Sequence, residues 1–380
     1  MNKYKICLKA YLNLTQKYYY FFDGFIKMNK LKKIDVLNEN GISFSSYKYS
    51  RGIDIASNNN HLLLLKYFKI SRINDNYVEY AEKILTDIYF SIYYKRDYLY
   101  DSDMNTINKL INDNNYLKPI FVVFKVLLVM NSDKAYDTIC ELIGEDMKYL
   151  SFIPINYFYN ELKYYYELIL LYVKKINNIT FDFTAEAKNH NILWMYYHIK
   201  GTFYYTNNDY AKSLVYFQHL CEIYKKDYNL IRSIICKNNI LQIYNLLGLY
   251  DFTIDEAIPI IDYLIYQTDK KQFTKYSIRH LFAAYVCSEK YNDLIIYYNK
   301  FINDNSLIAG TASICLLIAY KKCNYKKEYI EANLKDIICA NEKNKLAYNK
   351  LFNNYTITKS EYEMYFSNVI YSFLYDQFLL

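Results

Sequence analysis

The sequence predicts an all-α protein, an N-terminal helix-turn-helix domain followed by a right-handed array of helical repeats. Three observations carry this. Gly and Pro are scarce, 7 and 3 in 380 residues, while hydrophobic residues make up 53%. Turn-rich sheet proteins need far more of both, so the scarcity points to helices, short connections and a full core. A tyrosine-marked helix–turn–helix pattern recurs along the second half. Finally, the charge is segregated: residues 1–70 hold 12 Lys/Arg against 4 Asp/Glu, the other 310 hold 34 against 35, and the chain's +7 therefore belongs to its first fifth. Such asymmetry points to a nucleic-acid- or membrane-facing end. The expected domains are residues 1–70 (helix-turn-helix), 71–115 (connecting helix and linker) and 116–380 (repeats with a C-terminal capping or dimerising helix).

Residues 3–27 are amphipathic and aromatic, with Tyr18-Tyr19-Tyr20-Phe21-Phe22 at their centre and an expected break at Asp23-Gly24. A short helix over 29–39 is expected to turn Leu31 and Ile34 inward, with Val36 and Leu37. Asn40-Gly41 ends it as a C-cap signal. Ser43 is a good N-cap for a second helix reaching about Arg51. A third, His61 to Phe68, follows. Helix, tight turn through Gly41, Ser- and Lys-bearing helix and Leu-rich helix together resemble a Cro/repressor-type helix-turn-helix. The resemblance implies that Ser43, Phe44, Ser45, Ser46, Lys48 and Tyr49 face double-stranded DNA with Arg51 near phosphate, while Ile42 and Tyr47 pack inward. Hydroxyls would bond bases or phosphates, and Lys and Arg would neutralise phosphates. The Arg and Gln that usually read bases are absent from the second helix.

Tyr77 to Tyr94 reads as a connecting helix, Asp101 to Asn115 as a polar stretch, and Pro119 to Met130 as an apolar helix. That apolar run is interrupted by Lys125 and falls short of the ~20 residues a membrane span needs. Lys134 to Met147 should pair back after the Asn131-Ser132-Asp133 turn, and Asn156 to Ile176 forms a further helix. Phe181 to Ala187 connects to the array.

The array is clearest from Tyr197. One helix carries Tyr197, Gly201 and Tyr204 on a face, Thr206 to Asp209 turns, and a second helix carries Ser213, Phe217 and Leu220. Gly in mid-helix costs roughly 1 kcal/mol against Ala, which implies close helix approach at Gly201. The Tyr204/Tyr210 spacing returns at Tyr244/Tyr250 and Tyr285/Tyr291, with a shorter copy at Tyr320/Tyr325. The unit resembles a tetratricopeptide repeat, a helix–turn–helix of about 34 residues; Lys200 and Lys225 depart from its pattern. In that register the groove-facing stripe holds His198, Thr202 and Tyr205, then Asn238, Gln242 and Asn245, then Arg279, Ala283 and Val286. Lys237 falls at a core position. Amides there can bond the backbone of an extended peptide, since each offers donor and acceptor.

No phosphate loop, dinucleotide fingerprint or His-Glu-x-x-His is present, and no Ser/His/Asp set can be read from spacing. Of the five histidines, His190 and His198 are eight apart with no carboxylate or Cys partner at ligand spacing, and no metal, cofactor or enzymatic activity is expected. The 8 cysteines form no Cys-x-x-Cys. Free thiols, a reducing compartment and a cytoplasmic setting without membrane attachment are expected. The 50 tyrosines are read as packing residues.

A basic helix-turn-helix followed by tetratricopeptide-like repeats resembles the peptide-sensing transcription regulators of the Rgg/PlcR type. The resemblance implies a homodimer that binds operator DNA and is switched by a short signalling peptide, with His198, Thr202, Asn238, Gln242, Asn245 and Arg279 as peptide contacts. A repeat scaffold that binds a protein partner without touching DNA is the alternative.

Overall fold

In the computed structural model the protein is all-helical. Residues 6–13, 16–51, 60–132, 134, 136–159, 161–174, 192–267, 271–302, 304–366 and 371–379 are described, and none of them lies in a β-strand. No described helix is long and apolar enough to cross a membrane. The chain divides into two compact units, residues 1–199 and 200–380.

The first unit contains α1 (Ala10–Asn13), α2 (Gln16–Met28), α3 (Lys33–Glu39), α4 (Phe44–Arg51), α5 (Asn60–Tyr67), α6 (Asp75–Tyr93), α7 (Tyr100–Asn112), α8 (Lys118–Met130), α9 (Tyr136–Phe152) and α10 (Glu161–Lys174). α8 is buried almost all round and packs against α6, α7, α9 and α10. An all-round apolar helix has to lie at the centre of its unit. Lys118 stands at its first position, and the mid-helix charge, Lys125, is met by Asp146 of α9 at 2.7 Å.

Three buried tyrosines close the unit's polar core. Tyr11 donates to the Tyr157 carbonyl (3.1 Å), Tyr157 to the Tyr116 carbonyl (2.5 Å), and Tyr116 back to the Tyr11 carbonyl. Each hydroxyl thereby satisfies the backbone of the next residue, which burial demands. Tyr11 Oη also accepts from the Tyr159 amide at 3.0 Å.

Three local expectations are corrected here. α2 runs straight through Asp23-Gly24, where a Cβ on Gly24 would meet Ile153 Cδ1 at 2.8 Å and the Phe152 carbonyl at 2.9 Å. That glycine serves close helix approach, not a break. Asp101 to Asn112 is part of α7, which buries Ile107 and Leu110. In the segment before Asn40, Leu31 and Ile34 are exposed and only Val36 and Leu37 point inward.

α11 (Leu193–Thr206) begins in the first unit, where Trp194 Nε1 donates to Tyr89 Oη at 3.1 Å, and continues into the second. Phe181 to Ala187, expected as a connector, lies outside the described residues. The second unit continues with α12 (Tyr210–Lys226), α13 (Leu230–Leu246), α14 (Tyr250–Leu264), α15 (Lys271–Cys287), α16 (Tyr291–Phe301), α17 (Thr311–Lys322), α18 (Lys327–Asn333), α19 (Lys335–Cys339), α20 (Glu342–Asn353), α21 (Lys359–Tyr365) and α22 (Ser372–Leu379). α13 packs beside α15, α15 beside α17 and α17 beside α20, while α14 and α16 pack against the helices that flank them in sequence. The terminal stretch from Lys359 is two short helices, not one.

Five turns of this unit share one geometry. The amides of Asp209, Asn229, Leu249, Lys290 and Tyr325 bond the carbonyls of Tyr204, Tyr224, Tyr244, Tyr285 and Tyr320 at 2.8–3.1 Å. The residue before each donor, Asn208, Tyr228, Gly248, Glu289 or Asn324, is left-handed with φ between +54° and +75°. This is the Schellman closure of a helix end. It explains the tyrosine cadence: the first Tyr of a pair accepts the turn's bond, and in the three full-length copies the second opens the next helix.

At Gly201 an added Cβ would stand 3.0 Å from the Phe217 ring, and Ser213 Oγ donates to the Gly201 carbonyl at 2.8 Å. The α13/α14 pair repeats that bond as Thr253 Oγ1 to the Leu241 carbonyl at 3.4 Å. There the sizes are exchanged. Leu241 stands where Gly201 does, Ala257 stands where Phe217 does, and both are fully buried.

Candidate functional site

The expected site residues form two sets, the first within residues 1–199 and the second, His198 apart, within residues 200–380. The first is built on α3, its turn and α4. Gly41 (φ +65°) allows the chain to reverse, and the Ile42 amide bonds the Leu37 carbonyl at 2.9 Å. Ser43 Oγ accepts the Ser46 amide at 3.1 Å, starting α4 as an N-cap. Ile42 and Tyr47 are buried. Tyr47 Oη lies 2.8 Å from Asp23 Oδ1 and 3.1 Å from the Tyr19 carbonyl, and its ring meets Tyr19 edge-on at 5.0 Å. Lys33 pairs with the same Asp23. α4 is thus pinned to α2 by one side chain.

What α4 leaves outward is Ser43, Phe44, Ser45, Lys48 and Tyr49. Phe44 is 54% and Tyr49 64% exposed. Ser46 departs from the expected set: it is half-buried, and its Oγ accepts from Asn60 Nδ2 of α5 at 2.8 Å. The Arg51 side chain lies outside the described residues. Lys27, Lys30, Lys32, Lys66 and Lys69, on or beside α2, α3 and α5, are all exposed. Solvated cations and exposed aromatic rings in one segment are suited to an anionic polymer with stackable or apolar edges.

The second set lies along α13 and α15. Asn238 and Asn245 are buried, which overturns the open stripe expected for them. Asn245 Nδ2 donates to the His280 carbonyl and to Tyr371 Oη, both at 2.9 Å. Asn238 Oδ1 accepts from Ser277 at 2.8 Å. Ala283 and Val286 are buried as well. This face packs α13 against α15, so its amides link helices. Gln242 and Arg279 are half-buried, and Gln242 bonds Tyr205 Oη. Thr202 is exposed, and His198, in the first unit, is half-buried. Lys237 pairs with Glu256 of α14, which accounts for a charge at a core position.

Sequence reasoning missed His280 and Tyr371. His280 Nδ1 lies 2.7 Å from Tyr371 Oη, and Arg279 Nη2 lies 3.5 Å from His280 Nε2. A guanidinium only donates, so Nε2 accepts and Nδ1 carries the proton. Burial, then the Arg279 charge, hold His280 well below its usual 6.5, so the ring is neutral. Burial pushes the Tyr371 phenol far up. Among the described residues, Asn238 Nδ2, Asn245 Oδ1 and Arg279 Nε are buried atoms without a hydrogen-bond partner. Buried polar atoms of this kind ask for an explanation.

No family model matches the chain, and neither the curated proteins nor the solved structures contain a match.

Proposed function

We propose that this protein is a DNA-binding regulator whose α4 enters the major groove of double-stranded DNA and whose second unit is a tetratricopeptide-like array that answers a short peptide. The observation that carries the reading is the division of α4. Ile42, just before it, and Tyr47 are buried and fixed to α3 and α2, while Ser43, Phe44, Ser45, Lys48 and Tyr49 are exposed to solvent. Docking of a second helix by its N-terminal residues requires that division. The Schellman-closed helix pairs, with α13, α15 and α17 in a row, support the repeat reading. Thr202, Gln242 and Arg279 keep exposed surface that a peptide could meet, and this supports the peptide reading. A homodimer would match the two-fold symmetry of operators.

The test is fluorescence anisotropy of the whole chain with a labelled mixed-sequence duplex at low salt. Lys48→Ala should weaken binding, and Phe44→Ala with Tyr49→Ala should weaken it further while circular dichroism stays unchanged. Absent binding, or binding indifferent to these three side chains, would remove the DNA reading. A scaffold that binds a protein partner is the second reading. It is favoured by the exposed Val215, Phe252, Tyr263 and Ile296 on α12, α14 and α16, and it would then stand.

A further inference from the structure

A cavity of about 530 Å³ lies between α6 and α7, within the size range of small-ligand sites. The end of α6 shapes it. Lys95 is left-handed (φ +52°), and the Arg96 amide bonds the Ser91 carbonyl at 2.9 Å. This closure brings Arg96 back over the helix end, where its guanidinium lies 5.7 Å from the centre of the Tyr94 ring. The Leu99 amide bonds the Arg96 carbonyl, also at 2.9 Å. Asp97, the carboxylate nearest Arg96 in sequence, is taken by Lys95 at 2.9 Å.

Three charged groups line the cavity: Asp87 of α6, Arg96, and Asp103 of α7. None of them forms an ion pair with another or with any other described residue. Asp103 Oδ2 is shielded from water and accepts no hydrogen bond among the described residues. A shielded carboxylate oxygen without a donor is costly, and a donor from outside the chain would satisfy it. The rest of the lining is the Phe90 and Tyr94 rings, stacked at 6.1 Å, with Leu99 and the buried Ser91.

We propose that this cavity binds a free basic α-amino acid, of the lysine or arginine kind, whose two cations meet Asp87 and Asp103 and whose carboxylate meets Arg96. The charges decide the class. The cavity offers two negative groups and one positive; such an amino acid offers the complement. A simple diamine would leave Arg96 facing cations, a neutral-side-chain amino acid would leave one carboxylate unmatched, and an anion would meet two carboxylates. The guanidinium fork suits a carboxylate. Phe90 and Tyr94 suit the alkyl stem and, through their faces, its cation. The site involves no residue of α4 and does not rest on the DNA reading.

The test is isothermal titration calorimetry of the whole chain with L-lysine and with L-arginine. At least one should bind saturably. Its counterpart with a neutral side chain, norleucine or citrulline, and its decarboxylated counterpart, cadaverine or agmatine, should each bind at least about tenfold more weakly. Asp103→Asn should weaken the amino acid by at least about tenfold. Arg96→Gln should erase the preference for the amino acid over its amine, a selective change that misfolding does not give. Asp87→Asn, at an exposed position, replaces Asp103→Asn if circular dichroism shows that the latter costs helix. The proposal fails if neither amino acid gives saturable heat up to about 10 mM. It fails equally if the amine binds as tightly as its amino acid, or if the folded aspartate variant and Arg96→Gln bind like the wild type.

Discussion

His280 is a titratable ring with almost no contact with water, and it makes folding sensitive to acid. Its folded value lies well below the 6.5 of an ordinary histidine. Above that pH both folded and unfolded chains hold it neutral, and the full stability is present. Below it the unfolded chain takes up a proton that the folded chain refuses, so stability falls by up to about 1.4 kcal/mol per pH unit. Denaturant midpoints taken from about pH 7 to about pH 5 should therefore drop more steeply for the wild type than for His280→Gln; parallel slopes would exonerate the ring. Gly201 makes a second residue-scale case. Its Cα faces the Phe217 ring so closely that even a Cβ would require the ring to shift by a few tenths of an ångström. Gly201→Leu should cost roughly 1–3 kcal/mol. Adding Phe217→Ala reproduces the Leu241/Ala257 arrangement and should recover part of that loss, a coupling of roughly 0.5–3 kcal/mol in a double-mutant cycle. Strictly additive costs would mean that the two side chains do not meet.

At the scale of elements, the turns govern. Glu289 and Tyr228 hold the left-handed position that Gly248 holds in the turn between α13 and α14. A side chain there costs about 1–2 kcal/mol, and the looser unfolded state of glycine returns about half of that. Glu289→Gly and Tyr228→Gly should each raise stability by roughly 0.5–1 kcal/mol in urea unfolding; a fall would mean that the side chain contributes more than its strain. The same turns show what the sequence made legible. Tyr204/Tyr210 and its copies announced their helix ends because a carbonyl and a helix start recur at fixed spacing whatever the side chains do. Asn40-Gly41-Ile42-Ser43 announced α3 and α4 for the same reason. The buried state of Asn238 and Asn245 was not legible. A helix packed in a row has a neighbour on each side, and the same spacing marks an open stripe and a seam. Tyr371 was out of reach too, because it lies 91 residues from the His280 it bonds and outside the tyrosine cadence. Asp101 to Asn112 hid its helix because only Ile107 and Leu110 need burial there.

Across the whole molecule, charge and packing are segregated. The excess of Lys and Arg in residues 1–70 stays largely solvated, as Lys27, Lys30, Lys32, Lys48, Lys66 and Lys69 show. Raising salt from about 50 to about 200 mM should therefore cut DNA affinity steeply, and Lys48→Ala should lower the slope of log affinity against log salt by about one. The melting midpoint should barely move, since exposed ion pairs contribute about 0–1 kcal/mol each; a salt-insensitive affinity would deny phosphate contact. The Gly201/Phe217 and Leu241/Ala257 pairs carry a different consequence, for descent. A recombination that set α14 beside α11 would leave Ala257 over Gly201 and a void between them. The reverse exchange would drive the Phe217 ring into Leu241. Crossovers that keep a helix pair whole should therefore be tolerated better than crossovers within one, which makes the hairpin, not the helix, the unit that can be exchanged.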